Sequence, residues 1–175
     1  QGHGGQVNVL VKNAGIKTQG HYASAVVAQS IGGGGGLIDL SNRTVNQRSD
    51  VEKLQIGGIK AQGDGQVVNV NLETGLTTLG KNSHGIVAQS IGSGGGLVVA
   101  DGINLRSSIR VGGKETNAHA NTVNINLNTN ARIQTAGDGS YGILAQSIGG
   151  GGGLAADTSN LDLTSLRKDL KVNDG

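Results

Sequence analysis

Ala28-Gln29-Ser30-Ile31-Gly32-Gly33-Gly34-Gly35-Gly36-Leu37 is matched by Ala88-Gln89-Ser90-Ile91-Gly92-Ser93-Gly94-Gly95-Gly96-Leu97 and again by Ala145-Gln146-Ser147-Ile148-Gly149-Gly150-Gly151-Gly152-Gly153-Leu154. The phrase returns after 60 residues and then after 57, at positions 28, 88 and 145. A period of this size is the mark of a repeat architecture, and it outweighs local propensity.

Upstream of each phrase lies an alternating run: Val7-Asn8-Val9-Leu10-Val11, Val68-Asn69-Val70-Asn71-Leu72 and Val123-Asn124-Ile125-Asn126-Leu127. Apolar and Asn residues alternate with period two, the pattern of a half-buried strand, broken once at Leu10. A second short strand follows in each copy: Gly15 to Thr18, Gly75 to Thr78, Ala131 to Thr135. A polar corner comes next, Gly20-His21-Tyr22, Gly80-Lys81-Asn82 and Gly137-Asp138-Gly139. The third strand, Ala25 to Ala28, Gly85 to Ala88 and Gly142 to Ala145, then leads into Gln, Ser, Ile and the glycines.

Downstream, Leu37 to Leu40, Leu97 to Ala100 and the weaker Leu154 to Ala156 read as strands. After a polar segment of variable length comes a last alternating run: Leu54 to Gly57, Ile109 to Gly112 and Leu170 to Asn173. Leu163, Leu166 and Leu170 also have helical spacing, but the other two copies favour a strand there. Repeats 1–61, 62–116 and 117–175 divide the chain without remainder, as one domain. The end repeats lack the atypical, polar sequence that caps a free-standing solenoid, so the sequence predicts continuation of a longer solenoid, or self-association end to end or laterally.

Composition narrows the core. The 175 residues include no Phe, Trp, Met, Cys or Pro, and Tyr22 and Tyr141 are the aromatics, against 33 Gly. Val, Ile, Leu and Ala must fill thin layers where rings supply much of the buried area in ordinary cores. The patterning of those residues argues against the disorder that a Gly-rich polar chain otherwise suggests. Strands separated by Gly corners, with no long helix, predict an all-β chain: a right-handed parallel β-helix, or β-solenoid. Each turn then lies about 4.8 Å above the last, and equivalent side chains stack in ladders. A repeat of this length is expected to hold two or three turns, giving six to nine rungs in all.

The glycines carry the one candidate site. A run of five allows positive φ and close backbone approach, both costly for other residues. Stacked at one corner, Gly32, Gly34, Gly36, Gly92, Gly94, Gly96, Gly149, Gly151 and Gly153 form a smooth stripe for packing or assembly, against another chain or against the variable segment.

Ser140-Tyr141-Gly142-Ile143-Leu144-Ala145-Gln146-Ser147-Ile148 and its five glycines resemble a repeat of large bacterial autotransporter passenger domains, of the type V secreted class, and so does His84-Gly85-Ile86-Val87-Ala88-Gln89-Ser90-Ile91. Ala25 stands where the pattern has Gly, and Ser93 interrupts the second pentad. The likeness covers the three anchors and the strands before them, somewhat under half the chain. It implies a secreted Gram-negative protein at the outer-membrane surface, with a β-helical passenger of adhesive or biofilm-related role. It implies no catalytic residues, and the sequence carries no counterpart of the family's membrane barrel.

Other chemistry finds little purchase. No pentad is followed by Gly-Lys-Ser/Thr and a helix pattern, so a phosphate loop is not expected. Gly63-Asp64-Gly65 and Gly137-Asp138-Gly139 are isolated corners rather than calcium-binding nonapeptides, and read as turn chemistry. His3, His21, His84 and His119 lack ligand spacing, and His84, aligned with Ser24 and Tyr141, reads as a tolerant exposed corner. Without Cys there are no disulfides or thiolate metal sites. No cofactor or metal is implied. The net charge of +2 gives no ground for nucleic-acid binding. No apolar run reaches the roughly 20 residues of a membrane span, and no signal peptide is recognised in these residues, so the expectation is either a cytosolic protein or a mature or excised part of something longer.

Arg43, Arg48, Lys53 and Lys60, Arg106, Arg110 and Lys114, and Arg167, Lys168 and Lys171 follow the three glycine runs. Stacking would align them toward an acidic glycan, but Asp39, Asp50, Asp101, Asp157, Asp162 and Asp169 interleave, which makes a mixed solvated face the plainer reading. The functional expectation is a non-enzymatic, extracellular structural or adhesive β-solenoid, from a bacterial surface adhesin or a self-assembling filament. The alternative is a β-helix that binds or cleaves a surface glycan.

Overall fold

The computed structural model describes residues 2–39, 53–57, 62–100, 108–112 and 117–157, and all regular structure among them is β. The first repeat forms β1 (Val7–Val11), β2 (Ile16–Thr18), β3 (Val26–Ile31), β4 (Gly35–Asp39) and β5 (Lys53–Ile56). The second forms β6 (Val68–Leu72), β7 (Gly75–Thr78), β8 (Ile86–Ile91), β9 (Gly95–Ala100) and β10 (Ser108–Val111). The third forms β11 (Val123–Leu127), β12 (Arg132–Thr135), β13 (Ile143–Ile148) and β14 (Gly152–Asp157). The expected strand over Leu170 to Asn173, and its helical alternative, lie outside the described residues.

Each strand pairs in parallel with its counterpart one repeat away. The sheets run β1-β6-β11, β2-β7-β12, β3-β8-β13 and β4-β9-β14, with β5 beside β10. Register holds without a slip: Val7 faces Val68 and Val68 faces Val123, Ala28 faces Ala88 and Ala88 faces Ala145. The fold is a parallel β-solenoid. The expected two or three turns per repeat are incorrect, because one repeat makes one turn and the three repeats make three rungs. Pairing joins residues a full repeat apart, as the identical residues do in the sequence, and nothing in the sequence recurs at a half or a third of that distance.

The wide turn encloses apolar space on both sides of its middle sheet. On one side Val26, Ala28, Ile86 and Ala88 pack with Val68, Val70, Leu72 and Leu76 in a single buried cluster. Successive side chains of a strand point to opposite faces. Val87, Gln89 and Ile91 therefore point away from that cluster, yet each is fully buried. The β4-β9-β14 sheet covers them, with Val98 likewise at 0% exposure. A strand buried on both faces reads as a continuous run rather than an alternation. This is why Ile86-Val87-Ala88-Gln89-Ser90-Ile91 shows no period of two. It also means that the third strand does not stop at Ala28, Ala88 and Ala145 but continues through Gln, Ser and Ile.

Outside the first cluster the alternation does hold. Asn8, Asn69 and Asn124 share one outward column, while Leu10 occupies the outward column of Asn71 and Asn126 and is 52% exposed. Leu10 thus breaks the pattern in composition without shifting the register.

Candidate functional site

Each glycine pentad turns the chain from the middle sheet into the next one, and its five positions meet two demands. The first, at Gly32, Gly92 and Gly149, has no positive φ. A Cβ at Gly32 would fall on the Gly63 carbonyl, and one at Gly92 would lie 2.5 Å from the His119 oxygen. The crowding comes from the next rung's leading segment passing across the corner. The remaining four positions all have positive φ, at 79°, 91°, 140° and 138° for Gly33 to Gly36. L-residues avoid that region, and opposed backbones also stack closely there: a Cβ on Gly35 or Gly95 would meet the carbonyl of Gly95 or Gly152, and one on Gly96 or Gly153 that of Gly36 or Gly96. The last two glycines of each pentad are strand residues, opening β4, β9 and β14.

Ser93 is the exception. It holds φ 68° in the column of Gly33 and Gly150, it is fully buried, and its hydroxyl has no hydrogen-bond partner.

What covers the pentads is the end of the preceding repeat. Gly57 follows β5 at φ 108°, and a Cβ there would lie 3.1 Å from Gly94. Gly112 follows β10 at φ 113° and would meet the Gly152 nitrogen at 2.5 Å and the Gly151 carbonyl carbon at 2.7 Å. The return strand of one rung thus seats a glycine on the pentad of the next. A Cβ on Gly34 or Gly36 would meet nothing within 4 Å.

Side chains reinforce the stack through columns. Gln29 Nε2 donates to Gln89 Oε1 at 2.7 Å, and Gln89 Nε2 donates to Gln146 Oε1 at 2.6 Å. This amide chain is what allows a fully buried Gln between Val87 and Ile91, since an unpartnered buried amide is costly. On the outer face Asn124 Nδ2 donates to Asn69 Oδ1 and Asn69 Nδ2 to Asn8 Oδ1, at 2.8 and 2.7 Å. The anchor serines tie successive rungs: Gln66 N–H donates to Ser30 Oγ and Asn121 N–H to Ser90 Oγ, at 2.8 and 2.9 Å. A Cβ at Gly65 would lie 2.7 Å from Ser90 Oγ. The Gly63-Asp64-Gly65 motif is therefore a close extended crossing and not the turn the sequence suggested, whereas Gly137-Asp138-Gly139 is a turn.

At the corners, where no strand ladder runs, side chains take over as acceptors. His3 Nδ1 accepts from Asp64 N–H, His21 Nδ1 from Lys81 N–H and His84 Nδ1 from Tyr141 N–H, at 3.1, 3.0 and 3.0 Å. Asp64 Oδ1 accepts from His119 N–H at 2.7 Å. Each bond links a residue to the one in the same column of the next rung. Ser83 and Ser140 do double duty. Ser83 Oγ donates to Gly20 O at 2.8 Å and accepts from Ala23 N–H at 3.0 Å. Ser140 Oγ accepts from Ser83 N–H at 2.9 Å and donates to Gly80 O at 3.1 Å.

His84 corrects the sequence reading most. It is 3% exposed, not an open corner, and its ring stacks on Tyr141 with centroids 5.4 Å apart and planes at 19°. Burial pushes its pKa below the usual 6.5. The other side chains singled out from the sequence stay dispersed. Asp64 lies 3.5 Å from His3 Nδ1, and Lys81 Nζ lies 3.9 Å from Asp138 in an exposed pair. Among the described residues no three His, Asp or Glu gather as a metal group, and no helix is long and apolar enough to cross a membrane. Of the cations following the glycine runs, Lys53 and Arg110 have described backbones. Lys53 pairs with Ser108 and Arg110 with Gln55, so the two are out of column. The others lie outside the described residues.

No family model, curated protein or solved structure matches the chain.

Proposed function

We propose that this chain is an extracellular structural element, a stiff β-solenoid segment of a bacterial surface adhesin or filament. One observation carries the reading. Among the described residues four strand columns run through all three rungs and a fifth joins two, all in unbroken parallel register, and side-chain columns repeat that register inside, outside and at the corners. A stack built this way grows in length by adding repeats without changing its cross-section, which is what a spacer or rod requires. The likeness of the anchor phrase to autotransporter passenger repeats supports the same location and role. No catalytic step is assigned.

The test is location. Intact cells that make the protein are treated with protease and labelled with antibody against it. Cleavage and labelling without lysis are expected, together with weaker attachment to surfaces when the protein is deleted. Protection from protease until lysis would overturn the reading. A glycan-binding role would use the outward amide column Asn8, Asn69 and Asn124. Retention on an acidic polysaccharide column, lost on replacing all three with Ala, would favour it over the purely mechanical role.

A further inference from the structure

His3, His21 and His84 each accept, at Nδ1, the backbone N–H of the residue one rung on. A ring nitrogen that accepts a hydrogen bond carries no proton, so each neutral ring keeps its proton on Nε2. A second proton has only Nδ1 to go to. There it turns the acceptor into a donor that faces another donor, and the bond between the rungs is lost.

The three sites differ in what the charged ring would meet. His3 is exposed and has the Asp64 carboxylate 3.5 Å from Nδ1, so an added proton finds an acceptor at once. His21 is exposed, and water replaces its bond to Lys81 N–H. His84 has neither outlet, because it is buried in the middle rung with a neighbour on each side. The first rung presents Ser24, whose Oγ accepts the His84 N–H at 3.1 Å. The third presents Tyr141, whose N–H lies 3.0 Å from Nδ1 and whose ring stacks on the imidazole. The neighbouring Ser83 Oγ is already engaged with Gly20 O and Ala23 N–H. Among the described residues no carboxylate pairs with His84, and the charged residues closest to it and to Tyr141 in the chain, Lys81 and Asp138, face each other. The face of the Tyr141 ring attracts a cation. Burial outweighs that attraction and pushes the His84 pKa below its ordinary value.

The backbone confines the effect. Ala25 N–H donates to His84 O and Gly85 N–H to Tyr141 O, both at 2.9 Å, and Ile86 N–H then donates to Gly142 O. Strand pairing starts just past the ring and does not run through it. We propose that His84 is an acid-sensitive latch between the second and third rungs: the neutral ring holds Tyr141 N–H, and the protonated ring releases it and opens the corner from Ser140 to Gly142 while the β-ladders stay paired. The latch is a response of the fold to acid and does not depend on where the protein works, so it and the structural role proposed above fail separately.

Hydrogen exchange of single amides, followed by NMR on the full chain from neutral to mildly acidic pH and corrected for the intrinsic effect of pH, reads the latch directly. Protection of Tyr141 N–H should fall about tenfold for each pH unit below the His84 midpoint, since one proton opens the corner. Val68 N–H and Gly92 N–H, which donate to Thr122 O and Ile148 O across the same two rungs, should keep theirs. The 15N shift of His84 Nδ1 should titrate at the pH where Tyr141 protection begins to fall. His84→Gln supplies an acceptor that takes no proton and should leave Tyr141 protection flat, whereas His84→Ala should remove it at every pH. If His84→Gln does not fold, the coincidence of the two wild-type midpoints still decides. Tyr141 protection that ignores pH, that falls as steeply in His84→Gln, that follows a midpoint other than the ring's, or that falls only together with Val68 and Gly92 would each overturn the proposal.

Discussion

Replacing Ser93 with glycine should stabilise this protein, although glycine usually weakens regular structure. Ser93 sits at φ 68° between two columns of backbone, where its neighbours Gly33 and Gly150 hold 79° and 81°. A left-handed conformation costs an L-residue about 1–2 kcal/mol. Its hydroxyl is buried with no partner, which costs about 1–3 kcal/mol more. Against this, glycine's extra freedom in the unfolded chain returns about 0.5–1 kcal/mol, and the lost methylene contact about 0.8 kcal/mol. The balance is a gain of about 1–3 kcal/mol, or a rise in Tm of about 3–9 °C for a chain of this size. Urea unfolding of wild type, Ser93→Gly and Ser93→Ala separates the two contributions, because alanine removes the hydroxyl and keeps the strained φ. The midpoints should rise from wild type through alanine to glycine with unchanged slope. Alanine matching glycine would refute the conformational part of the argument. A fall in both variants would refute it whole, since it would mean that the hydroxyl holds something worth keeping.

The buried amide chain offers a second check: Gln89→Ala should cost about 2–4 kcal/mol by stranding Gln29 and Gln146, while Leu at all three positions should recover most of it, read by chemical denaturation. For the glycine corner, Gly32→Ala should sharply reduce stability through collision with the Gly63 carbonyl, whereas Gly5→Ala, with no atom within 4 Å of its would-be Cβ, should leave Tm nearly unchanged. Acid should loosen the stack through His84. Its folded pKa lies below the unfolded 6.5, so the unfolded chain binds the proton more readily. The contribution is whole above 6.5 and is lost as pH falls from there toward the folded value. Urea midpoints measured from neutral to mildly acidic pH should decline, and His84→Gln should flatten the decline over that window.

The corner histidines show how much of this depended on stacking. Nothing in the spacing of His3, His21 and His84 marks them as a set, because each acts on the residue one repeat away rather than on one another. Aligning the repeats column by column makes the relation visible: each faces a residue whose backbone N–H needs an acceptor where the strand ladder is interrupted. The three Gln residues were a clearer signal. A polar residue kept in every copy between apolar neighbours is the mark of an internal ladder, yet the sequence reading ended the strand just before it.

The repeat, the strands and their parallel stacking are legible in the residues alone. The Val-Asn runs announce one apolar and one polar face, and β1, β6 and β11 fall where those runs do. For the pentads the sequence left two readings, positive φ with close approach or a flexible linker, and the Ile and Leu flanking every copy favoured the first. That a repeat is one turn, that Ala-Gln-Ser-Ile is strand buried on both faces, that His84 is enclosed and that Gly57 and Gly112 cover the next rung's pentad emerged from the folded chain. The physical reason is the range of the information. Alternation is a local property that reveals a strand with one wet face, and it vanishes for a strand with none. Rung number and burial follow from which distant strands pair, and that is settled by long-range contacts along the axis of the stack.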